Sequence, residues 1–345
     1  MLNEINIGGR KISIREKPFI IPEIGINHEG DINKAKEMIL SAYHSGAECV
    51  KFQCHVIDDE MIPNQVVPGN SNETIWDIMN RCALGENEER ELKKFTEDLG
   101  LIYLSTPFSR AAADRLEKMD VVAYKIGSGE CNNLPLLKHI ASFGKPVILS
   151  TGMNDIESVS ESVKVLRDSD IEFALLHVTS LYPTPYSKVR LGALEELAQV
   201  FPDAVIGLSD HSIGNYTCYA AIAMNASIVE KHFTVNKTWP GPDIPISIDS
   251  GELKELIRGC TAIHEALGGS KTILPEEQPT ISFAYASVVS IKDIKKGDIL
   301  TRENIWVKRP GTGEIHAKYF EGLLNHRAKR DIKKDIQLKR DMIES

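Results

Sequence analysis

The chain has 345 residues, of which 42% are hydrophobic and 26% charged, and its formal net charge at pH 7 is −9. This length allows one large and one small domain, and the acidic balance argues against a nucleic-acid partner, because phosphate backbones select basic surfaces. The sequence contains neither an apolar signal core nor a run near the roughly 18 apolar residues of a membrane span, so we expect a cytoplasmic protein without a membrane partner.

Eight short β-rich runs alternate with amphipathic stretches over the first 265 or so residues. The predicted strands are Phe19–Glu23, Cys49–Gln53, Leu101–Ser105, Val122–Ile126, Pro146–Ser150, Phe173–His177, Ala204–Leu208 and Ser227–Lys231. Between them, apolar residues recur every three or four positions, which predicts helices with one buried face. Eight such units favour an α/β fold of the (β/α)8 TIM-barrel type over an open sheet, which usually has fewer strands.

Two other segments shape the predicted domain plan. Asp58–Cys82 is too long for a plain loop and predicts an excursion with a short helix near Ile75–Arg81. Lys271–Thr280 is polar and contains two prolines, as is typical of a linker. We therefore predict a TIM-barrel catalytic domain over residues 1–268, a linker over 269–285 and a small β-rich domain over 286–345. The six cysteines form no CxxC pair, and reduced, buried thiols are expected.

A histidine follows each of the last two predicted strands. Gly207–His211 ends one run in Ser-Asp-His, and Ser227–His232 ends the next run in Glu-Lys-His. Since the ends of successive parallel strands meet at one rim of a barrel, the two imidazoles are expected to lie side by side. Neutral imidazoles suit Mn²⁺, Zn²⁺ or Fe²⁺, and an incomplete set of protein ligands leaves positions for substrate. The alternative is that each histidine merely caps its strand through its own hydrogen bonds.

The other predicted strand ends supply cations and hydroxyls. Lys51 and Gln53 are two residues apart and therefore share one face of their strand. The ammonium groups, the hydroxyls and the backbone of Gly127 and Gly129 together suit an anionic ligand that carries a phosphate. The residues concerned are Lys51, Thr106, Lys125, Ser128, Ser150 and Ser209. A Schiff-base lysine is the alternative, but two lysines beside a metal site are more typical of a phosphate clamp.

Starting at Pro22–Gly30, the chain resembles the bacterial sialic acid synthase family (N-acetylneuraminate synthases). The resemblance continues through Ser105–Arg110, Tyr124–Asn133, Ser150–Met153, Tyr182–Pro185, Gly207–His211, Glu230–Thr234, Gly241–Asp243 and Trp306–Gly311. The C-terminal segment is similar to the antifreeze-like (SAF) domain of that family. This similarity implies a domain-swapped homodimer, in which the SAF domain lies over the active site of the other subunit.

The resemblance implies a transferase that forms a C–C bond by condensing phosphoenolpyruvate with open-chain N-acetylmannosamine and water. The products are N-acetylneuraminate and phosphate, which is released by C–O cleavage. The implied cofactor is a divalent metal, Mn²⁺ first, with Mg²⁺ or Co²⁺ as alternatives; it is held by His211 and His232 and polarises the sugar aldehyde. The implied phosphoenolpyruvate contacts are Lys51, Thr106, Lys125, Ser128, Ser150, Ser180 and Ser209. The implied catalytic and sugar-site residues are Glu23, which orients the attacking water, with Gln53, Tyr182, Asp243 and Arg309 at the sugar.

Several alternatives remain open. Legionaminic or pseudaminic acid synthases use a 2,4-diacetamido-trideoxy hexose in place of N-acetylmannosamine, whereas a 6-phosphorylated sugar would need a second basic cluster. A barrel metallohydrolase commonly needs an HxH pair at strand 1, which Asn27-His28-Glu29 does not supply. A non-catalytic carbohydrate-binding protein would leave the two lysines and two histidines of one rim unexplained.

Overall fold

The computed structural model describes residues 3–344, which fall into two compact units, one ending at Leu267 and the other beginning at Gly268. The first unit is a TIM barrel, as predicted. Its eight parallel strands are β3 (Phe19–Gly25), β4 (Cys49–Cys54), β5 (Ile102–Pro107), β6 (Tyr124–Ile126), β7 (Val147–Ser150), β8 (Phe173–Val178), β9 (Val205–Asp210) and β10 (Ile228–His232). They follow the order β5-β4-β3-β10-β9-β8-β7-β6, and β5 also packs against β6, which closes the ring.

Helices surround the strands of this unit. Their bounds are α1 (Ile32–His44), α2 (Ile57–Glu60), α3 (Ile75–Cys82), α4 (Glu86–Asp98), α5 (Arg110–Lys118), α6 (Leu134–Ala141), α7 (Ile156–Asp168), α8 (Tyr186–Val189), α9 (Gly192–Val200), α10 (Tyr216–Ala223) and α11 (Ser250–Ala266). Several begin at a capping side chain, since Asp31, Ser109, Asn133, Asp155 and Asp249 each accept a backbone N–H of the first turn. The helix predicted near Ile75–Arg81 is confirmed as α3.

Two buried layers hold the barrel together. The larger lies between the strands and the helices, and the smaller fills the inside of the barrel with residues such as Phe19, Ile148 and Ile228. An N-terminal hairpin, β1 (Ile5–Ile7) and β2 (Arg10–Ile12), contributes Ile5, Ile7 and Ile12 to this inner layer. The sequence prediction did not include the hairpin, although Gly8 and Gly9 form its turn with positive φ.

Several strands extend beyond their predicted ends. The prediction ended β9 at Leu208 and β10 at Lys231, whereas the strands continue to Asp210 and His232. Polar residues can occupy the end of a barrel strand because the strand termini face the functional rim rather than the packed core. The six cysteines are all buried and unpaired, in agreement with the prediction.

The second unit begins with a segment that was predicted to be a linker. That segment contains a 3-10 turn (Pro275–Glu277) and helix α12 (Gln278–Ala284), because prolines are tolerated in the first turn of a helix. Strands β11 (Ser287–Ser290) and β12 (Ile305–Lys308) then pair antiparallel over a small apolar core. Within residues 3–344, no helix has the length and apolar character needed to cross a membrane.

Candidate active site

A cavity of about 300 Å³ opens at the carboxyl ends of the barrel strands. Every barrel residue that the sequence singled out for the site lines it, with the exception of Asp243. These lining residues are Glu23, Lys51, Gln53, Thr106, Lys125, Ser128, Ser150, Ser180, Tyr182, Ser209, His211 and His232. Arg309 follows β12 in the second unit, and its role at the sugar stays a prediction.

The period of two along each strand explains why these side chains converge. The inward positions begin with apolar residues, such as Phe19 and Ile21 on β3 or Ile228 on β10, which fill the barrel. Continuing in steps of two along the same face come Glu23 on β3, and Glu230 and then His232 on β10. The inward-facing residues of each strand therefore supply both the apolar floor of the barrel and the polar walls of the cavity.

Two buried lysines and two buried glutamates form the charged centre of the cavity. Lys51 Nζ lies 2.6 Å from Glu23 Oε2 and 3.7 Å from Glu230 Oε2, and it donates to Thr106 Oγ1 at 3.2 Å. Lys125 Nζ lies 3.8 Å from Glu230 Oε1, which also accepts a hydrogen bond from Ser209 Oγ at 2.9 Å. Glu230 thus lies between the two ammonium groups and balances part of their charge.

Burial acts differently on the pKa values of these groups. Burial lowers the pKa of Lys125 to about 8, although Glu230 opposes the shift. For Lys51 burial is outweighed by Glu23 and Glu230, which raise its pKa, so that Lys51 stays cationic at neutral pH. Burial raises the pKa of Glu23 to about 7 despite the adjacent Lys51, which suits a group that exchanges protons near neutral pH.

Hydroxyl groups at or just after the ends of β6, β7 and β8 line the same cavity as Lys125. Its ammonium donates to Ser150 Oγ at 2.6 Å, and Ser128 Oγ accepts from the backbone N–H of Gly152 at 3.0 Å. A Cβ at Gly152 would lie 2.5 Å from Ser180 Oγ and 2.7 Å from Ser128 Oγ. The absence of a side chain at position 152 therefore allows both hydroxyls to approach this backbone.

The two predicted histidines face each other across the ends of β9 and β10. Their ring centroids are 5.4 Å apart, and Tyr182 stacks on His211 at 4.2 Å. Burial lowers the pKa of His211 to about 4, against the opposing effect of its hydrogen bond to Thr179. For His232, burial together with His211 holds the pKa well below the usual range. Both rings are therefore neutral at pH 7 and have lone pairs to offer.

The donor set fits a divalent metal held by two protein ligands. His211 Nδ1 lies 3.1 Å from the carbonyl oxygen of Thr179 and donates to it, which leaves Nε2 as the free lone pair. Among the described residues, His232 Nδ1 is buried and has no hydrogen-bond partner, with Asp243 Oδ2 at 3.7 Å. Burial raises the pKa of Asp243 to about 6. Across residues 3–344 no group of three or more His, Cys, Asp or Glu residues is arranged to hold a metal, so water or substrate would complete the coordination.

The sequence analysis missed three features of the site. Glu230 and Glu130 line the cavity, and burial together with Glu60 raises the pKa of Glu130 to about 7. Glu230 could have been found from the alternation along β10, since it precedes His232 by two residues on the same face. The third feature is a buried ion pair between Asp210 and Lys231, 2.5 Å apart, next to the histidines in sequence.

Comparison with known proteins gives a consistent assignment for both units. A model of the NeuB family matches residues 38–272, and a model of the SAF domain matches residues 285–344. The chain is 37% identical over 330 residues to the N,N'-diacetyllegionaminic acid synthase of Campylobacter jejuni, covering 93% of this chain and 98% of that one. It is 32% identical over 306 residues to the human N-acetylneuraminate-9-phosphate synthase, covering 87% and 85% of the two chains.

A solved structure supports the same assignment. The N-acetylneuraminic acid (sialic acid) synthetase of Leptospira borgpetersenii, crystallised with citrate, superposes with a TM-score of 0.75 and 32% sequence identity. The match covers 81% of this chain and 96% of that one. The named relatives differ in the acid that they make, so similarity alone leaves the acceptor sugar open.

Proposed function

The chain belongs to the NeuB family, and from this premise we propose that it condenses phosphoenolpyruvate with an open-chain N-acylated amino sugar to form a sialic-acid-type product and phosphate. The single observation that carries the proposal is the convergence in one cavity of two lysines, several hydroxyls and two neutral histidines. The lysines and hydroxyls suit a phosphate-bearing carboxylate, and the histidines suit a metal beside it.

The chain's own side chains position the reactants in this proposal. Lys51 and Lys125 bind the anionic groups of phosphoenolpyruvate, and the hydroxyls of Thr106, Ser128, Ser150, Ser180 and Ser209 orient them. C3 of phosphoenolpyruvate then forms a bond to the sugar aldehyde carbon, and water adds at C2. The aldehyde oxygen gains a proton and becomes a hydroxyl, and Glu23 accepts one proton of the water. When the intermediate collapses, the water oxygen becomes the C2 carbonyl, its second proton is lost, and phosphate leaves by cleavage of its C–O bond. Gln53, Tyr182 and Asp243 face the sugar, and Arg309 of a second subunit contacts it in a domain-swapped dimer.

We further propose that His211 and His232 hold a divalent cation, Mn²⁺ first, through unprotonated ring nitrogens. When bound, the cation supplies Lewis-acid polarisation of the aldehyde oxygen. The hydrogen bond from His211 Nδ1 to the Thr179 carbonyl fixes the tautomer that this role needs.

The acceptor that we propose is N-acetylmannosamine, which gives N-acetylneuraminate. The similarity to the Campylobacter jejuni N,N'-diacetyllegionaminic acid synthase favours a second candidate, a 2,4-diacetamido-trideoxy hexose that gives legionaminic or pseudaminic acid. The two candidates differ at C4 and C6 of the sugar and share the whole chemistry of bond formation.

Phosphate release distinguishes the candidates. With phosphoenolpyruvate and Mn²⁺ we expect release that depends on N-acetylmannosamine, is blocked by EDTA and yields a nine-carbon acid of the corresponding mass. Release with the diacetamido sugar alone would keep the reaction and change the acceptor. No release with either sugar would overturn the proposed reaction.

Replacing Lys51 by alanine is expected to raise the apparent KM for phosphoenolpyruvate roughly 30- to 150-fold, since a charge-assisted contact contributes about 2–3 kcal/mol. The KM for the sugar should change much less, because Lys51 binds phosphoenolpyruvate in this proposal and reaches the sugar side only through its ion pair with Glu23. Steady-state kinetics with each substrate varied in turn measures both values.

Lys145→Ala provides the matched control for this experiment. Lys145 forms ion pairs with Glu117 and Asp120 and does not line the cavity. Its removal should leave both KM values unchanged. An unaltered phosphoenolpyruvate KM in the Lys51 variant would contradict the phosphate clamp.

A further inference from the structure

Four side chains form a hydrogen-bonded series from Glu23 in the cavity to Glu60 at a second cleft. Gln53 Nε2 donates to Glu23 Oε1 at 3.1 Å, and Gln53 Oε1 lies 3.1 Å from His55 Nε2. His55 Nδ1 in turn lies 2.7 Å from Glu60 Oε2. Glu60 lines a separate cleft of about 470 Å³ beside the barrel rim.

The chemistry of the partners fixes the direction of each hydrogen bond. An amide oxygen can only accept, so the contact with Gln53 Oε1 requires that His55 Nε2 bear a proton. The 2.7 Å contact between His55 Nδ1 and Glu60 Oε2 is compatible with a proton on Nε2, whether its own proton lies on the nitrogen or on the oxygen. With its oxygen held by His55, the Gln53 amide must direct its NH2 group to Glu23.

Packing holds the ring of His55 in this orientation. The imidazole is 3% exposed and stacks on Phe108, with ring centroids 4.6 Å apart and planes 14° from parallel. On the other side, the backbone of Gly25 covers the Gln53–Glu23 contact, since a Cβ there would lie 3.1 Å from Glu23 Oε1 and 3.3 Å from Gln53 Nε2. Phe108 lines both the candidate active-site cavity and the second cleft, so the four hydrogen-bonded side chains lie in the wall between the two.

We propose that His55 is a positioning residue that fixes the orientation of the Gln53 amide for the sugar and for Glu23, and that the contact with Glu60 fixes the orientation of the His55 ring. The inference rests on the proposed function, since it takes Gln53 as a contact of the acceptor sugar. Without His55, only the contact with Glu23 orients the amide, and the amide can rotate by 180° to accept from Glu23 whenever that carboxyl is protonated. The sugar site then loses the donor that it uses.

The test compares His55→Asn with His55→Gln in the full-length protein. A glutamine amide reaches the position of His Nε2 and can donate to Gln53 Oε1, whereas the shorter asparagine reaches only the position of Nδ1. We expect the asparagine variant to raise the KM for the sugar about tenfold, with the KM for phosphoenolpyruvate within about twofold, as loss of one buried hydrogen bond predicts. The glutamine variant should stay within about threefold of the wild type for both substrates.

Three further variants make the outcome decisive. Glu60→Ala should raise the sugar KM in the same direction, and Glu60→Gln, whose amide can still donate to Nδ1, should not. Gln53→Ala tests the proposed sugar contact itself. Thermal unfolding of every variant reports whether the fold is kept.

The outcomes separate the inference from the proposed function. If Gln53→Ala raises the sugar KM while the asparagine and glutamine variants of His55 are equally active or equally impaired, the positioning role fails and the proposed function stands. An unchanged sugar KM in Gln53→Ala overturns both the sugar contact and the positioning role. A larger sugar KM in the asparagine variant alone supports the inference.

Discussion

Alanine at His232 is expected to abolish metal-dependent turnover, with a loss of about a thousandfold or more, because Lewis-acid polarisation contributes several kcal/mol. His232 Nδ1 has no hydrogen-bond partner within residues 3–344, so removing the ring breaks no hydrogen bond of that nitrogen there. The fold should therefore survive, as circular dichroism and thermal unfolding would report. His211→Ala should have a similar effect, and isothermal titration with Mn²⁺ should show weaker binding in both variants.

His177→Ala is the matched control for the histidine variants. His177 is also a buried histidine on a barrel strand, but it contacts the carbonyl of Val189 and does not line the cavity. It should bind Mn²⁺ like the wild type, with turnover reduced only by any loss of folded protein. Full activity in either His211→Ala or His232→Ala would refute the metal assignment, and EDTA treatment followed by Mn²⁺ addition tests the same point in the wild type.

The barrel could be predicted from the sequence because each strand and helix has its own local signal. A short β-rich run or a helical period can be recognised from a few consecutive residues. Eight repeats of this pattern leave few alternative folds. The N-terminal hairpin was missed because each strand has three residues, too few for a clear alternation. Helix α12 was missed because Pro279 in its first turn and Pro275 in the preceding 3-10 turn are typical of a linker as well as of a helix start.

The location of the candidate site could also be predicted, because strand ends in a barrel converge by topology alone. That argument placed Lys51, Lys125, His211 and His232 at one rim before any distance was known. The partners of these residues could not be predicted in the same way. Glu230 lies between Lys51 and Lys125, and the contacts join strands β10, β4 and β6, which are far apart in sequence.

The second large effect is expected from Asp210→Asn, which should destabilise the barrel by about 3–5 kcal/mol. The substitution leaves the Lys231 ammonium fully buried without its counter-charge, and an uncompensated buried charge costs that much. Asp210 and Lys231 are direct partners in the β9–β10 ladder, and their side chains alternate with those of Ser209 and Glu230, which face the cavity. The pair therefore fixes, from outside the barrel, the two strands that present His211 and His232.

The pH dependence of this effect follows from the carboxylate. Although burial opposes its ionisation, Lys231 and the hydrogen bonds from Ser212 and Thr217 hold the pKa of Asp210 below its usual range. The stabilisation is complete above the unfolded pKa of about 4 and is lost as the pH falls through the lower folded value. The gap in urea midpoint between wild type and Asp210→Asn should therefore be large at pH 7 and close in acid.

A double variant, Asp210→Leu with Lys231→Met, distinguishes the loss of the counter-charge from the loss of the hydrogen bonds that Asp210 accepts. Replacing both charges by apolar groups removes the uncompensated ammonium, so much of the stability lost in Asp210→Asn should return. The hydroxyls of Ser212 and Thr217 would still lose an acceptor, which limits the recovery. If the double variant were as unstable as Asp210→Asn, the hydrogen bonds of Asp210 rather than its charge would account for the loss. If it regained stability but bound Mn²⁺ more weakly, the pair would be retained for the placement of the histidines rather than for the stability of the fold.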